Sequence, residues 1–226
     1  MNWEDEGFLI SKRKFRENGN IINVFTNKFG KVSGVVYGGN SRKIRNFLQI
    51  SNKIFVFYKS KSENKLGYFK AELIDPISPK YFNDKKRTSA LLSTTALLNS
   101  LLPDSQPNKK IYNSFMNILE TLDLDNWPFL YVLWELNLIK ELGFDPNLNK
   151  LKKINYSNDV VILDIDGIKY KVPTFLINEV IPESINNDLI KNSLIFTRLL
   201  LLNKFFIPNN LIFPKSRIIL ENYFKF

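Results

Sequence analysis

Ile21–Tyr37 reads IINVFTNKFGKVSGVVY. Two runs rich in β-branched and aromatic residues flank Asn27-Lys28-Phe29-Gly30, whose composition is that of a tight turn. Ile21–Thr26 and Lys31–Tyr37 are too short and too β-branched for helices, so the stretch predicts two antiparallel strands. The same grammar extends outward. Gly7–Lys12 predicts an earlier strand, and Gly38-Gly39 ends the one at Tyr37. Lys53–Lys59 (KIFVFYK) predicts a fourth strand and Gly67–Ile74 a fifth. Five strands within about 70 residues, with the longest gap after the third, fit a five-stranded Greek-key barrel of OB type. An SH3-like barrel has nearly the same pattern.

Asp75-Pro76-Ile77-Ser78-Pro79 ends the β-rich part, because two prolines oppose both helix and central strand. The expected division is a barrel domain over 1–78 and a helical domain over 79–226. Lys86–Leu102 and Lys109–Leu122 carry apolar residues at helical spacing. A third helix is capped by Asp125 or Asn126, holds Pro128 in its first turn and runs to Leu142, with Gly143 as a left-handed C-terminal cap. Trp127–Leu142 is apolar on more than one face, which reads as a buried central helix, or else as part of a groove for a partner's peptide. Asp164-Ile165-Asp166-Gly167 joins Val160–Leu163 to Ile168–Val172 as a hairpin, at about 158–173. Ile185–Phe206 predicts a long leucine-rich helix and Lys215–Tyr223 a final short one. The expected fold class is therefore α+β.

The chain has 226 residues and a formal net charge of +10. Residues 1–80 hold 15 Lys+Arg against 7 Asp+Glu, a net of +8, and the remaining 146 hold 17 against 15. A basic module beside a near-neutral one points to a polyanion site on the first. Lys12, Arg13, Arg16 and Lys31, with Arg42, Lys43 and Arg45 from the segment Tyr37–Lys43 (YGGNSRK) and just beyond it, are the candidate phosphate contacts. Aromatics interleave with these basics, as they do in sites that hold single-stranded nucleic acid. Tyr37 and Phe47, flanking the basic segment, are the candidate base-stacking residues.

Cysteine and histidine are both absent. That excludes disulfides, thiol nucleophiles, Cys- or His-based zinc sites and triads that need an imidazole. No P-loop or dinucleotide-binding glycine pattern occurs. Asp164 and Asp166, two apart, are the best carboxylates for a metal-dependent nuclease, but hairpin turn chemistry is the stronger account of them. No enzyme, metal or cofactor is expected. The acidic opening Met1–Glu6 is unlike a signal peptide, and Leu194–Ile207, broken by Thr197, Arg198, Asn203 and Lys204, is too short and charged to span a bilayer. A cytoplasmic location is expected.

Several short segments, in order, resemble one family. Trp3–Ile10 looks like a first barrel strand of the bacterial RecO recombination mediators. Val24-Phe25-Thr26 followed by Phe29-Gly30-Lys31, then Val36–Arg45 (VYGGNSRKIR) with Leu48-Gln49, are similar to segments that follow it there. Trp134-Glu135-Leu136 and Glu141-Leu142-Gly143-Phe144 resemble that family's helix end, and Arg198, Pro214, Arg217 and Leu220 its C-terminal stretch. The resemblance implies an N-terminal OB-fold, binding of single- and double-stranded DNA, and annealing of complementary strands. It also implies recombinase loading with RecR, contact with the C-terminal tail of single-strand-binding protein, an indirect link to the recombinase RecA, and association with the nucleoid. Many members carry a four-cysteine zinc module, which this cysteine-free chain cannot build; the hairpin region Asn149–Val172 stands in its place. An RNA-binding OB-fold accessory factor is the alternative.

Overall fold

The computed structural model describes residues 1–38, 42–62, 65–151, 153–156, 160–178 and 185–225. Five strands, β1 (Asn2–Phe15), β2 (Gly19–Thr26), β3 (Gly30–Tyr37), β4 (Lys53–Lys59) and β5 (Gly67–Asp75), close into a barrel in the order β1-β2-β3-β5-β4. This order, with β3 and β5 paired in parallel at Gly34↔Gly67 and Val35↔Tyr68, is the OB arrangement and not the SH3-like one. β4 has the bounds its sequence predicts. β1 is longer than the expected Gly7–Lys12 because it serves two neighbours: Asn2–Phe8 pair with β4, while Gly7–Phe15 pair with β2. Its register slips between Leu9 and Ser11, a bulge that adds the twist a strand needs to turn from one partner to the next.

Strand alternation sorts the side chains. In β4, Ile54, Val56 and Tyr58 are buried and Phe57 and Lys59 exposed; in β5, Phe69 is buried and Tyr68 and Lys70 exposed. The inward set joins Leu9, Ile22, Val24, Val32, Val36 and Leu48 in the barrel core. Gly34 and Gly67 face each other where β3 meets β5. A Cβ on Gly34 would lie 2.6 Å from the Phe69 ring, and one on Gly67 2.4 Å from the Tyr58 ring. Two glycines at the seam thus leave room for two core aromatics.

The segment expected to be a loop after Gly38-Gly39 is partly helical. α1 (Arg42–Phe47) forms there because Ile44 and Phe47 find the barrel core to pack against and Leu48 is fully buried. Local composition carries no sign of that long-range docking.

After Asp75 come a 3-10 turn (Ser78–Tyr81), α2 (Lys85–Leu101) and α3 (Lys109–Thr121). Asp84 caps α2: its carboxylate accepts from the Arg87 backbone N–H at 2.9 Å and from the Arg87 guanidinium at 2.7 Å. Burial alone would raise the Asp84 carboxyl, but these bonds outweigh it and hold the group below its ordinary value. α3 covers the barrel with Tyr112 and Phe115, which meet Phe8 and Phe25 at ring-centroid distances of 5.0–6.4 Å. Burial, with smaller contributions from Asp5 and Glu6, pushes the Tyr112 phenol up to about 12.

The chain forms two compact units, Met1–Leu119 with Pro214–Arg217 and Glu120–Phe213 with Ile218–Phe226. The first therefore extends past the Pro76–Pro79 boundary suggested by composition, because α2 and most of α3 pack with the barrel. In the second, α4 (Trp127–Glu141) is a central helix, with Trp127, Phe129, Tyr131, Val132, Trp134, Leu138 and Ile139 buried. Asn126 stands at its N-cap, without a side-chain cap bond, and Gly143 follows at φ +101°. Short helix α5 (Thr174–Asn178) precedes α6 (Asn187–Leu201), which continues into a π-helical turn, Leu202–Phe206. Thr197 on α6 donates its hydroxyl to the fully buried Glu135 carboxylate. A last helix, α7 (Lys215–Asn222), follows Pro214.

The expected hairpin is one edge of a three-stranded sheet. β6 (Lys153–Tyr156), β7 (Val160–Ile165) and β8 (Ile168–Pro173) are antiparallel in that order. Asp166 and Gly167 turn β7 into β8 with φ of +53° and +81°, the two positive φ values of a type I′ turn. No helix among the described residues is long and apolar enough to cross a membrane.

Candidate nucleic-acid interface

The barrel supplies two kinds of surface, one basic and one aromatic. The basic one begins at the β1–β2 turn. Arg13 and Arg16 are exposed there, beside exposed Lys14. Arg16 sits at φ +53° in the turn, and its guanidinium stacks 5.1 Å from the Phe15 ring centroid. This contact orients the group without removing its charge or donors. The Gly38 N–H donates to the Asn18 carbonyl at 2.8 Å, and Gly19 pairs with Tyr37. The basic turn and the end of β3 are thereby held together, and α1 follows in the chain. Arg42, Lys43 and Arg45 belong to α1 in their backbone; their side chains lie outside the described residues.

Two of the expected phosphate contacts are engaged internally. Lys12 donates its ammonium to the Leu48 carbonyl at 2.6 Å. Lys31 is 11% exposed in its side chain, donates to the Asn99 carbonyl at 2.9 Å and pairs with Asp104 at 3.1 Å. Its backbone also bridges Asp104, and its carbonyl accepts from the Ser105 N–H. Lys31 thus fastens β3 to the end of α2 and the loop after it.

The aromatic surface is a cleft of about 1000 Å³ bounded by the start of β1, the end of β3, α1, and the facing parts of β4 and β5. Tyr37 is 54% exposed and stacks on Tyr68, itself 45% exposed, with centroids 5.5 Å apart and planes 24° from parallel. Phe47 lines the same cleft but is half-buried against the barrel core. Trp3 forms a fixed wall, stacked between Phe29 at 4.1 Å and Tyr58 at 4.8 Å. Tyr68 and Phe57, the latter 40% exposed, are additions to the two rings picked from sequence. Strand alternation was the available signal: Phe57 precedes an inward Tyr58, and Tyr68 precedes an inward Phe69.

The carboxylates Asp164 and Asp166 shape the turn between β7 and β8. The Asp164 carboxylate accepts from the Gly167 N–H at 2.8 Å, and Asp166 pairs with Lys204, whose ammonium lies 4.6 Å from the Phe144 ring centroid. Among the described residues no group of three or more acidic, His or Cys side chains is arranged to hold a metal. With no Cys or His in the chain, the residues do not fit a zinc module. The three-stranded sheet is held instead by buried Val161, Leu163, Ile165, Tyr170 and Val172, and by a hydrogen bond from Asn203 to the Tyr170 hydroxyl.

Comparison with known proteins agrees with this architecture. The family model "Recombination protein O N terminal" matches residues 1–77, and "Recombination protein O C terminal" matches 83–151. DNA repair protein RecO of Ruegeria sp. is 31% identical over 161 residues, covering 71% of this chain and 67% of its own. Its namesake from Cereibacter sphaeroides is 34% identical over 152 residues, covering 66% and 62%, and that of Ehrlichia chaffeensis 34% over 162 residues, covering 70% and 65%. The chain thus spans somewhat under two thirds of the length of the last two relatives. Among solved structures, Entamoeba histolytica asparaginyl-tRNA synthetase aligns over 95% of this chain and 60% of its own at 10% identity and a TM-score of 0.29, too low to bear on fold or function. On the family models and these relatives, the chain belongs to the RecO family of DNA repair proteins.

Proposed function

We propose that this chain is a non-enzymatic recombination mediator that binds single- and double-stranded DNA, anneals complementary strands and works with RecR to load recombinase. The observation that carries the reading is a closed OB barrel that matches the RecO N-terminal model and lies within a segment of net charge +8. Arg13 and Arg16 neutralise phosphates from the β1–β2 turn, with Arg42, Lys43 and Arg45 contributing from α1. Lys12 and Lys31 support the barrel from within. Phosphate contacts carry no base information, so binding is sequence-independent, and it weakens as salt rises because each neutralised phosphate releases counterion. Annealing follows from the same charge: two strands held on one basic surface repel each other less and pair faster.

The helical part carries the protein contacts, with RecR and the acidic tail of single-strand-binding protein as partners, and RecA as the recombinase reached through them. The protein works in the cytoplasm, on nucleoid DNA. Annealing of two complementary oligonucleotides across a salt series, without nucleotide or metal, tests the reading. Acceleration that fades with salt supports it. No acceleration at low salt contradicts it, and stronger binding to RNA than to DNA of the same sequence would make the barrel an RNA module.

A further inference from the structure

Three large rings stand partly in water around one cleft of the barrel: Tyr37, Phe57 and Tyr68. Tyr37 and Tyr68 already lie nearly parallel, and Trp3 behind them is fixed by stacking on both sides. The cleft therefore presents flat aromatic faces, and the mutual stacking of Tyr37 and Tyr68 reduces the side-chain freedom left to be lost when a further ring binds. Its charge is the second observation. Among the described residues that line it, Lys59 and Lys70 are balanced by Glu4 and Glu72. With those four charges balanced, the exposed aromatic faces are the cleft's main attraction, and they suit an uncharged planar ring better than a phosphate. Positive charge continues outside it, on exposed Lys61 and Lys65 of the connection between β4 and β5.

Resting on the nucleic-acid reading above, we propose that this cleft holds unpaired nucleobases. They stack on Tyr37, Tyr68 and Phe57, while the phosphates of the same strand follow Lys61 and Lys65 outside it. Bases inside a duplex have their faces covered by neighbouring pairs and cannot use the cleft. It therefore adds affinity for single strands alone, whereas the arginines of the β1–β2 turn serve both strand forms. A mediator's two requirements are thus met by separate surfaces, one that recognises an unpaired strand and one that tolerates the duplex produced by annealing.

The test uses the full chain and three labelled probes of about 20 nucleotides, long enough to cross one barrel: oligothymidylate, an abasic strand of the same charge, and a duplex. Fluorescence anisotropy at one salt concentration gives the three affinities. The expected result is oligothymidylate bound about 5- to 150-fold more tightly than the abasic strand, the range for loss of one stacked base. Tyr37→Leu with Tyr68→Leu removes most of the preference for oligothymidylate over the abasic strand, and adding Phe57→Leu removes the rest, while duplex affinity is unchanged. Tyr37→Phe with Tyr68→Phe keeps the preference, since the ring and not the hydroxyl makes the contact. Equal affinity of the native chain for the abasic and thymidylate strands overturns the proposal while leaving the phosphate-binding reading intact. So does a leucine variant that loses single-strand and duplex affinity by the same factor. If the native chain binds none of the three probes at low salt, the nucleic-acid reading itself fails.

Discussion

Replacing Lys31 by methionine separates a structural cation from a DNA-binding one. The substitution keeps the aliphatic stem and deletes the ammonium. In the native barrel that side chain is 11% exposed and satisfies the Asn99 carbonyl at 2.9 Å. A hydrogen bond to a charged group contributes about 1.5–3 kcal/mol, and losing it also strands the partner carbonyl. Asp104, the ion-pair partner at 3.1 Å, is 69% exposed, so solvent screening limits that pair to under about 1 kcal/mol. The expected loss is about 2–3 kcal/mol, or a fall in Tm of about 4–12 °C at roughly 2–4 °C per kcal/mol for a chain of this length. Thermal unfolding followed by circular dichroism measures the first quantity. DNA affinity of the folded variant, taken well below its melting temperature across a salt series, measures the second, and its salt slope should equal that of the native chain. A Lys31→Met chain that melts normally but has lost affinity and salt slope would return Lys31 to the phosphate contacts.

Asp84→Ala removes the cap of α2 and should cost about 1 kcal/mol at neutral pH. Because the native carboxyl is held below its ordinary value, that contribution is present above about pH 4 and lost as pH falls through the folded value, so native and variant stabilities converge in acid urea melts. Tyr112 behaves in the opposite sense. Its phenol is raised to about 12, so the native chain loses stability as pH rises from about 10 through 12, by up to about 3 kcal/mol. Tyr112→Phe should be less sensitive across that window, and identical alkaline unfolding of the two chains would contradict the burial argument. Gly67→Ala places a Cβ 2.4 Å from the Tyr58 ring at the β3–β5 seam, so denaturant unfolding should register a loss of about 1–3 kcal/mol from overpacking.

The barrel was legible because local chemistry and global structure agree there. KIFVFYK is a strand by propensity, by alternation and by its two-sided pairing, and the Asp166-Gly167 dipeptide of the second unit meets the positive φ values that its turn demands. What sequence left open depends on partners distant in the chain. Asn2–Glu6 carries three acids and reads poorly as a strand by composition, so only the family resemblance over Trp3–Ile10 pointed to one; it is a strand because Lys59 to Phe55 of β4 lie alongside it. β6 exists through pairing with β7, and α1 through docking on a core assembled from other strands. Charge is similarly ambiguous at the level of single residues. Lys31 and Arg13 contribute equally to a composition count, but one is bound by the end of α2 and the loop after it, while the other is exposed at the barrel rim. Of the aromatics, Tyr37 was identifiable beside its glycine pair. Tyr68 could be read as outward from strand alternation, but its pairing with Tyr37 could not, because the parallel β3–β5 junction that brings the two rings together has no local signature.

Electrostatic binding of DNA by the barrel is tested by the salt dependence of affinity in the native chain and in Arg13→Ala with Arg16→Ala. Log affinity should fall linearly with log salt, and the double variant should flatten the duplex slope by about 1.8, or about 0.9 for each lost phosphate contact, with melting temperature unchanged. An unchanged slope in the double variant, or binding by the native chain that does not respond to salt, would contradict it.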